Sequence, residues 1–285
     1  MKLLYQTHSP YARKALVAVH EIGLAGRLEV IHHETSPLLR NDEIFALNPL
    51  GKVPVLICDD GAVLFDSNVI CEYLDSMHGG HKLIPADPAR RYLALRNQAI
   101  ATGIADAGIA VRWESERRPE AVRWAPLREG QLQKIVAACD FLEQQIEQEP
   151  SLDIGAIALA TTLSWIEFRD VYAFQQARPR LSSWYARFCE RRSMQATALH
   201  GDTVDTTPSA DRHLNKSPRK TTRADWLFLR GHVIPTRLAW QPDDPSRQAP
   251  TKQDARWPWS RSRMDRALVA LRQCLGIGDG SMRKQ

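Results

Sequence analysis

A serine at residue 9 stands where its hydroxyl could stabilise an anion. Ser9-Pro10-Tyr11 follows a short apolar run and opens a segment with helical periodicity. Ser is a favoured N-cap residue and Pro fits the first helical position, so the sequence predicts a strand that delivers one hydroxyl to a helix N-terminus. The free amides and the dipole of such a helix end would favour a thiolate or a carboxylate. Ser9 equally fits a purely structural role as a cap.

Two further segments contain residues of the same kind. Lys52-Val53-Pro54 opens an apolar strand, and a proline there would ordinarily mark an edge strand. Asp66-Ser67 precedes a second helical pattern, where both residues would ordinarily serve as caps. Taken alone, these residues leave a structural role and a binding role open.

The apolar periodicity of the first 80 residues predicts an α/β unit that positions these segments. A strand–helix–strand unit favours parallel pairing with a right-handed crossover, and an Asp-Gly turn joins the last two strands as a hairpin. The order is therefore βαβ followed by ββα. The predicted elements are strands at 2–6, 27–33, 53–58 and 62–65, helices at 10–24 and 66–78, and a weak helix within 37–47.

From residue 89 to about residue 198 the pattern is helical throughout. We predict helices at 89–115, 119–149 and 154–174, and a fourth helix that starts at residue 179. The third segment is apolar on most sides, which is typical of a helix at the centre of a bundle. The predicted fold class is therefore an α/β unit followed by an all-α helical bundle.

The composition is that of a globular protein large enough for two domains. Of the 285 residues, 44% are apolar and 25% are charged. No apolar run approaches the roughly 20 residues that cross a bilayer, and we expect no secretory signal and no membrane partner. The five cysteines are scattered without a CxxC pair, which suits reduced thiols and a cytoplasmic location.

Basic residues are concentrated at the end of the chain. Residues 201–285 hold 16 Lys plus Arg against 9 Asp and no Glu, whereas the preceding 200 residues hold 22 basic and 24 acidic residues. The excess of positive charge is therefore a property of this extension, and it does not indicate a nucleic-acid surface on the body of the protein. The extension also holds seven of the 17 prolines, so we expect it to be largely disordered, with a small accessory module as the alternative.

The order and spacing of the three N-terminal segments resemble the glutathione transferases. The resemblance is carried by Ser9-Pro10-Tyr11, by the Asn48–Leu56 segment and by Phe65-Asp66-Ser67. It implies a thioredoxin-like first domain. The first segment stands where glutaredoxins carry Cys-Pro-Tyr-Cys, with Ser9 and Ala12 in place of the cysteines.

The helical half is similar to the same family up to about residue 200. Segments 101–107, 157–169 and 179–197 resemble the family's fourth, sixth and closing helices. The resemblance implies a glutathione-binding domain at 1–80, a linker at 81–88, a helical domain at 89–200 and an extension at 201–285. One departure concerns the start of the sixth helix, where a Ser or Thr cap and an Asp are replaced by Asp153 and Ala156.

The resemblance also implies roles for the three segments. Ser9 would donate a hydrogen bond to the sulfur of glutathione, because a free thiol with a pKa of about 8.5 is mostly protonated at neutral pH. A cis peptide at Val53-Pro54 would turn the backbone of Val53 toward the cysteinyl part of glutathione. Lys52 would meet the glycyl carboxylate, unless it is simply solvated.

At the third segment the resemblance implies a site for the zwitterionic end of glutathione. Ser67 and the local amides would hold the γ-glutamyl carboxylate, and Asp66 would orient the turn or meet the ammonium group.

The electrophile would bind between the domains. Tyr11, Ile104 and Trp113 are candidates for the lining of that pocket, although aromatic residues at helical spacing also suit a core. His8 could tune the site or be solvated. The histidines form no metal-ligand pattern, so no metal is expected. The resemblance implies glutathione as the cosubstrate.

The leading hypothesis is a cytoplasmic, homodimeric glutathione transferase that joins glutathione to hydrophobic electrophiles, as in detoxification. A glutathione-dependent reductase or isomerase on the same fold is the second hypothesis, and a non-enzymatic binding or regulatory protein is the third. Nucleic-acid binding through the basic extension is a fourth, without an interleaved aromatic pattern to support it.

Overall fold

A four-stranded sheet and three helices form the first part of the chain in the computed structural model, which describes residues 1–147 and 152–204. The sheet order is β2-β1-β3-β4, with β1 parallel to β2 and antiparallel to β3, and β4 antiparallel to β3. The elements are β1 Lys2–Tyr5, α1 Pro10–Glu21, β2 Glu29–His32, α2 Asp42–Leu47, β3 Val55–Ile57, β4 Val63–Leu64 and α3 Ser67–Ser76. This order confirms the predicted thioredoxin-like βαβ-ββα arrangement.

Alternation along β1 gives the sheet two apolar faces. Leu3 packs with α1 and α3, while Leu4 packs with Ile44 of α2 and with Val55 of β3. Successive strand residues point to opposite faces, so two adjacent leucines supply both layers. The layer beneath α2 also brings Val53, at the start of the proline-containing strand, against the sheet.

A helical bundle follows, as predicted from the pattern, with different boundaries. Its helices are α4 Pro88–Arg112, α5 Ala125–Gln145, α6 Ile154–Phe168, α7 Pro179–Cys189 and α8 Arg192–Ala196. The prediction that one helix starts near residue 119 is wrong, because a π-helical turn at Trp113–Arg117 and a 3₁₀ turn at Glu120–Val122 precede α5. The predicted extension of the third helix to residue 174 is also wrong, because Asp170 has a φ of 48° and leaves the helical path.

Helix α6 forms the centre of the bundle. Of its 15 residues 12 are buried, which confirms the prediction of a central helix. Gly108 of α4 allows the close approach, since a Cβ there would lie 2.7 Å from Ile166 Cδ1. Asp153 caps the helix by accepting a hydrogen bond from the Ala156 amide at 2.8 Å.

The sheet layer and the bundle are joined where α1 packs against α6. Arg13 of α1 is buried, and its guanidinium donates to Ser164 Oγ at 2.6 Å and to the Met194 carbonyl at 2.9 Å. Trp165 Nε1 donates to the His8 carbonyl at 3.1 Å. These bonds fix the start of α1, and with it Ser9, against the helical bundle.

The chain from 205 to 285 lies outside the described residues, and so do the predictions of disorder and of an accessory module there. Residues 201–204, assigned from the sequence to the extension, instead lie against the body. Thr7 Oγ1 donates to the His200 carbonyl at 2.8 Å, and Arg112 and Arg169 each lie 2.9 Å from Asp202 Oδ1. Within the described residues, none of the helices has the length and apolar character needed to span a membrane.

Replacing Arg13 tests the α1–α6 junction. We expect Arg13→Leu to lower the free energy of unfolding by about 2–4 kcal/mol, because the buried Met194 carbonyl and the half-buried Ser164 hydroxyl lose their donor. Arg13→Lys keeps one charged donor and should cost less. Urea unfolding of the three proteins measures both values. A leucine variant as stable as the wild type would contradict this role of Arg13.

Candidate functional site

A cavity of about 810 Å³ lies where the carboxyl end of β1 and the start of α1 face the bundle. Its walls come from the start of α1, the loops before α2 and β3, the start of α3, the end of α4 with its π-helical turn, and the end of α6. The sequence-predicted residues among its lining are Ser9, Tyr11, Lys52, Val53, Pro54, Asp66, Ser67 and Trp113.

Ser9 is the N-cap of α1 and also borders the cavity. Its Oγ accepts a hydrogen bond from the Ala12 amide at 3.2 Å. A hydroxyl has one donor and two acceptor positions, so capping leaves the O–H proton available to a ligand. The structural and chemical roles of Ser9 are therefore compatible. An anion at this position would accept a hydrogen bond from the Ser9 hydroxyl and would lie beside the positive end of the helix dipole.

The loop before β3 is shaped by two residues of the Asn48–Leu56 segment to which the sequence analysis assigned no role. Buried Asn48 donates to the Lys52 carbonyl at 2.8 Å and accepts from the Leu50 amide at 3.0 Å. Gly51 has a φ of 61°, and a Cβ there would clash with the Phe45 ring. The conformation of the loop therefore favours glycine at this position. Its sequence signal was the Asn-Pro-Leu-Gly run.

The loop delivers Val53 and Pro54 to the cavity. The Val53–Pro54 peptide bond is cis, as the resemblance implied. Lys52 lies at the same edge of the cavity.

The start of α3 also lines the cavity. Asp66 caps the helix through a 2.9 Å bond from the Asn68 amide, and Ser67 is only 2% exposed. Buried Lys14 donates to Asn68 Oδ1 at 2.6 Å, and burial lowers the pKa of its ammonium group. The helix start and the neighbouring cation together suit a carboxylate, with Asp66 available for a cation.

Two of the three residues predicted to line the electrophile pocket reach the cavity. Tyr11 donates its O–H to the carboxylate of Asp106, and burial together with this bond raises the pKa of Tyr11. Tyr11 therefore stays protonated at neutral pH. Trp113 lines the cavity from the π-helical turn.

The structure places Ile104 elsewhere, which corrects the third assignment. Ile104 is 1% exposed and packs in the core of the bundle. Ile109, further along α4, lines the cavity instead. Apolar periodicity predicted the helix, and the packing of α4 against α6 determines which face of α4 lines the cavity.

Three arginines on the bundle side of the cavity were missed from the sequence. They are Arg112, Arg117 and Arg169, which we call the arginine cluster. Arginines near helix ends ordinarily predict solvated surface, so no local signal distinguished them. The neighbouring His8 is buried, and desolvation lowers the pKa of its imidazole to about 4. His8 is therefore neutral at pH 7 and adds no charge to the cluster.

The described residues contain no group of three or more His, Cys, Asp or Glu side chains that could hold a metal ion. The cavity instead combines a hydroxyl at one helix start, a second helix start with Ser67, a cis-proline loop and a basic wall.

The chain matches known proteins over the same regions. Residues 8–77 match the family model "Glutathione S-transferase, N-terminal domain", and residues 125–187 match "Glutathione S-transferase, C-terminal domain". The uncharacterized GST-like protein YibF of Escherichia coli K12 is 31% identical over 175 residues, which cover 60% of this chain and 84% of YibF.

Solved structures show the same likeness. A glutathione transferase family member from Pseudomonas fluorescens Pf-5 with bound glutathione is 38% identical, with a TM-score of 0.67, over 70% of this chain and 99% of that one. A second Pf-5 structure, with bound S-(propanoic acid)-glutathione, is 38% identical with a TM-score of 0.63, over 70% and 100%. Together with the site geometry, these matches show that the chain belongs to the glutathione S-transferase family.

Proposed function

We propose that the protein is a glutathione transferase that uses Ser9 to stabilise the thiolate of bound glutathione. The observation that carries the proposal is the position of Ser9, whose hydroxyl caps α1 and borders a cavity that the start of α3 also lines. The glutathione bound in the Pf-5 relative supports the identity of the ligand.

In this proposal glutathione lies across the sheet side of the cavity. Its γ-glutamyl carboxylate meets Ser67 and the start of α3, its cysteinyl backbone pairs with Val53, and its glycyl carboxylate approaches Lys52. The sulfur then lies near Ser9. The buried cation of Lys14, held through Asn68, adds to the positive potential around the γ-glutamyl end.

The chemistry follows from the pKa of the thiol. The cysteinyl thiol releases its proton to solvent, and the O–H of Ser9 donates a hydrogen bond to the resulting sulfur anion. The thiolate attacks an electrophilic carbon of the second substrate and forms a carbon–sulfur bond, while the bond from that carbon to the leaving group breaks and its electron pair departs with the leaving group, as chloride in the case of chlorodinitrobenzene. The S-substituted glutathione bound in a Pf-5 structure supports a site that admits a group on sulfur.

A homodimer is part of the proposal. Tyr92 and Leu93 of α4 and Val69 of α3 are exposed apolar residues, and a 3.5 Å contact between Arg91 and Glu72 joins the two helices. This surface supports a second copy as its occupant. The described cysteines are free thiols, which supports a cytoplasmic location.

Glutathione binding is the first test. In calorimetric titration of the full chain, we expect saturable binding that Ser67→Ala weakens by about tenfold, because a charge-assisted hydrogen bond is lost. Ser76→Ala, at the exposed far end of α3, is the matched control and should bind as the wild type does. A folded wild-type chain that binds no glutathione would favour a non-enzymatic protein.

Ser9→Ala tests the catalytic role. Turnover with a chlorodinitrobenzene substrate should fall about a hundredfold, since one donor to the developing anion is removed. Glutathione affinity should change much less, and the pKa of the bound thiol, followed by thiolate absorbance, should rise toward about 8.5. Ser9→Thr, which keeps a hydroxyl, should retain most of the activity.

Equal turnover by wild type and Ser9→Ala would falsify the assignment. Activity confined to disulfide, peroxide or maleyl-type substrates would favour the reductase or isomerase alternative.

The dimer is tested by sedimentation velocity of the 32.2 kDa chain. We expect the wild type at twice the chain mass and Tyr92→Glu as a monomer, because Tyr92 is 69% exposed in one chain and would be covered in the dimer. Trp124→Glu changes an exposed aromatic residue at the start of α5 and should leave the dimer intact. A monomeric wild type contradicts the proposed dimer.

A further inference from the structure

The arginine cluster concentrates positive charge in the bundle-side wall of the cavity. Arg112 ends α4, Arg117 lies in the π-helical turn and Arg169 is the C-cap residue of α6. Their side chains are 12%, 12% and 8% exposed, respectively. Arg112 and Arg117 are five positions apart and would lie on different faces of a regular α-helix. Here a π-helical turn follows Arg112, and both side chains line the cavity.

A single exposed carboxylate neutralises much of the cluster. Asp202 Oδ1 lies 2.9 Å from Arg112 Nη2, 2.9 Å from Arg169 Nη1 and 3.8 Å from Arg117 Nη2. Glu116 pairs with Arg112 Nε at 2.8 Å. Asp202 and Glu116 thus pair with arginines of the cluster, and Asp106, another acid of the cavity wall, accepts a hydrogen bond from the Tyr11 hydroxyl.

One edge of the Arg169 guanidinium makes no hydrogen bond to the described residues. Its Nε and Nη2 atoms are buried and have no hydrogen-bond partner among the residues the structure describes. These two donors form the edge of the guanidinium that binds a carboxylate through two parallel hydrogen bonds. A buried donor without a partner is costly, so these two donors favour the binding of a further hydrogen-bond acceptor.

The arginine cluster lines the same cavity as Ser9 and lies close to the proposed reaction centre. Thr203 Oγ1 is 3.3 Å from His8 Nε2, and His8 immediately precedes Ser9. Arg112 Nη1 is 3.5 Å from the same Thr203 hydroxyl. A small molecule that meets the glutathione sulfur at Ser9 could therefore extend a carboxylate to the cluster.

We propose that the second substrate is a small electrophile bearing a carboxylate, which the arginine cluster binds while glutathione holds the sheet side of the cavity. This inference rests on the proposed function and replaces the expectation of a purely hydrophobic electrophile. Asp202 occupies part of the cluster in the free protein and competes with the substrate carboxylate for Arg112 and Arg169.

The test compares three ligands by calorimetric titration into the full chain. They are glutathione, S-(2-carboxyethyl)glutathione and its neutral amide S-(2-carbamoylethyl)glutathione, which has the same shape. We expect the acid to bind about tenfold more tightly than the amide, the effect of a charge-assisted pair. Arg169→Gln should abolish this preference and leave glutathione binding within about twofold. Arg192→Gln, an exposed arginine outside the cavity, controls for the change in net charge.

Asp202→Asn gives a change of opposite sign and does not depend on the fold of an arginine variant, because the Asp202 side chain is 71% exposed. It should strengthen binding of the acid severalfold and leave binding of the amide unchanged. Unchanged or weaker acid binding by this variant overturns the inference.

The remaining outcomes separate this inference from the proposed function. An acid that binds no better than the amide, with glutathione binding intact, overturns the carboxylate subsite alone. Equal weakening of all three ligands by Arg169→Gln assigns the cluster to glutathione itself and also overturns it. No binding of any ligand overturns the inference and the proposed function together.

Discussion

The buried contact between α1 and α6 is the constraint on which the site depends. Arg13 donates across it to Ser164 and to the Met194 carbonyl, and Trp165 donates to the carbonyl of His8. The donors and acceptors of these hydrogen bonds lie largely away from water, so each bond is costly to lose and its geometry is well defined. The start of α1 consequently has one position relative to the bundle, and the cavity exists because of that position.

Local chemistry made the sheet side of the site predictable. Caps at Ser9 and Asp66 depend on side-chain bonds to amides two or three residues away, and they leave a sequence signal that is independent of the rest of the fold. The cis bond before Pro54 followed from the family resemblance, and the order of the strands along the chain followed from the apolar periodicity. The central position of α6 followed from its apolar character on most sides.

Tertiary packing determines the parts of the site and the helix boundaries that could not be predicted from the sequence. Ile104 and Ile109 both lie on α4. The close approach of α4 to α6 at Gly108 places Ile104 in the core and Ile109 in the cavity wall. The boundaries of α5 and α6 depend on a π-helical turn and on a single residue with positive φ, and neither has a periodic signal. The arginine cluster assembles from three separate elements, so no window of sequence contains it.

Asp202 makes the arginine cluster a point of thermodynamic linkage. Its carboxylate fastens residues 200–204 to the cavity wall, and the chain continues from there through residues 205–285. A ligand that competes for the same guanidinium groups weakens that attachment, and whatever strengthens the attachment weakens the ligand by the same factor. The occupancy of the cavity and the attachment of residues 200–204 to its wall are therefore coupled through one equilibrium.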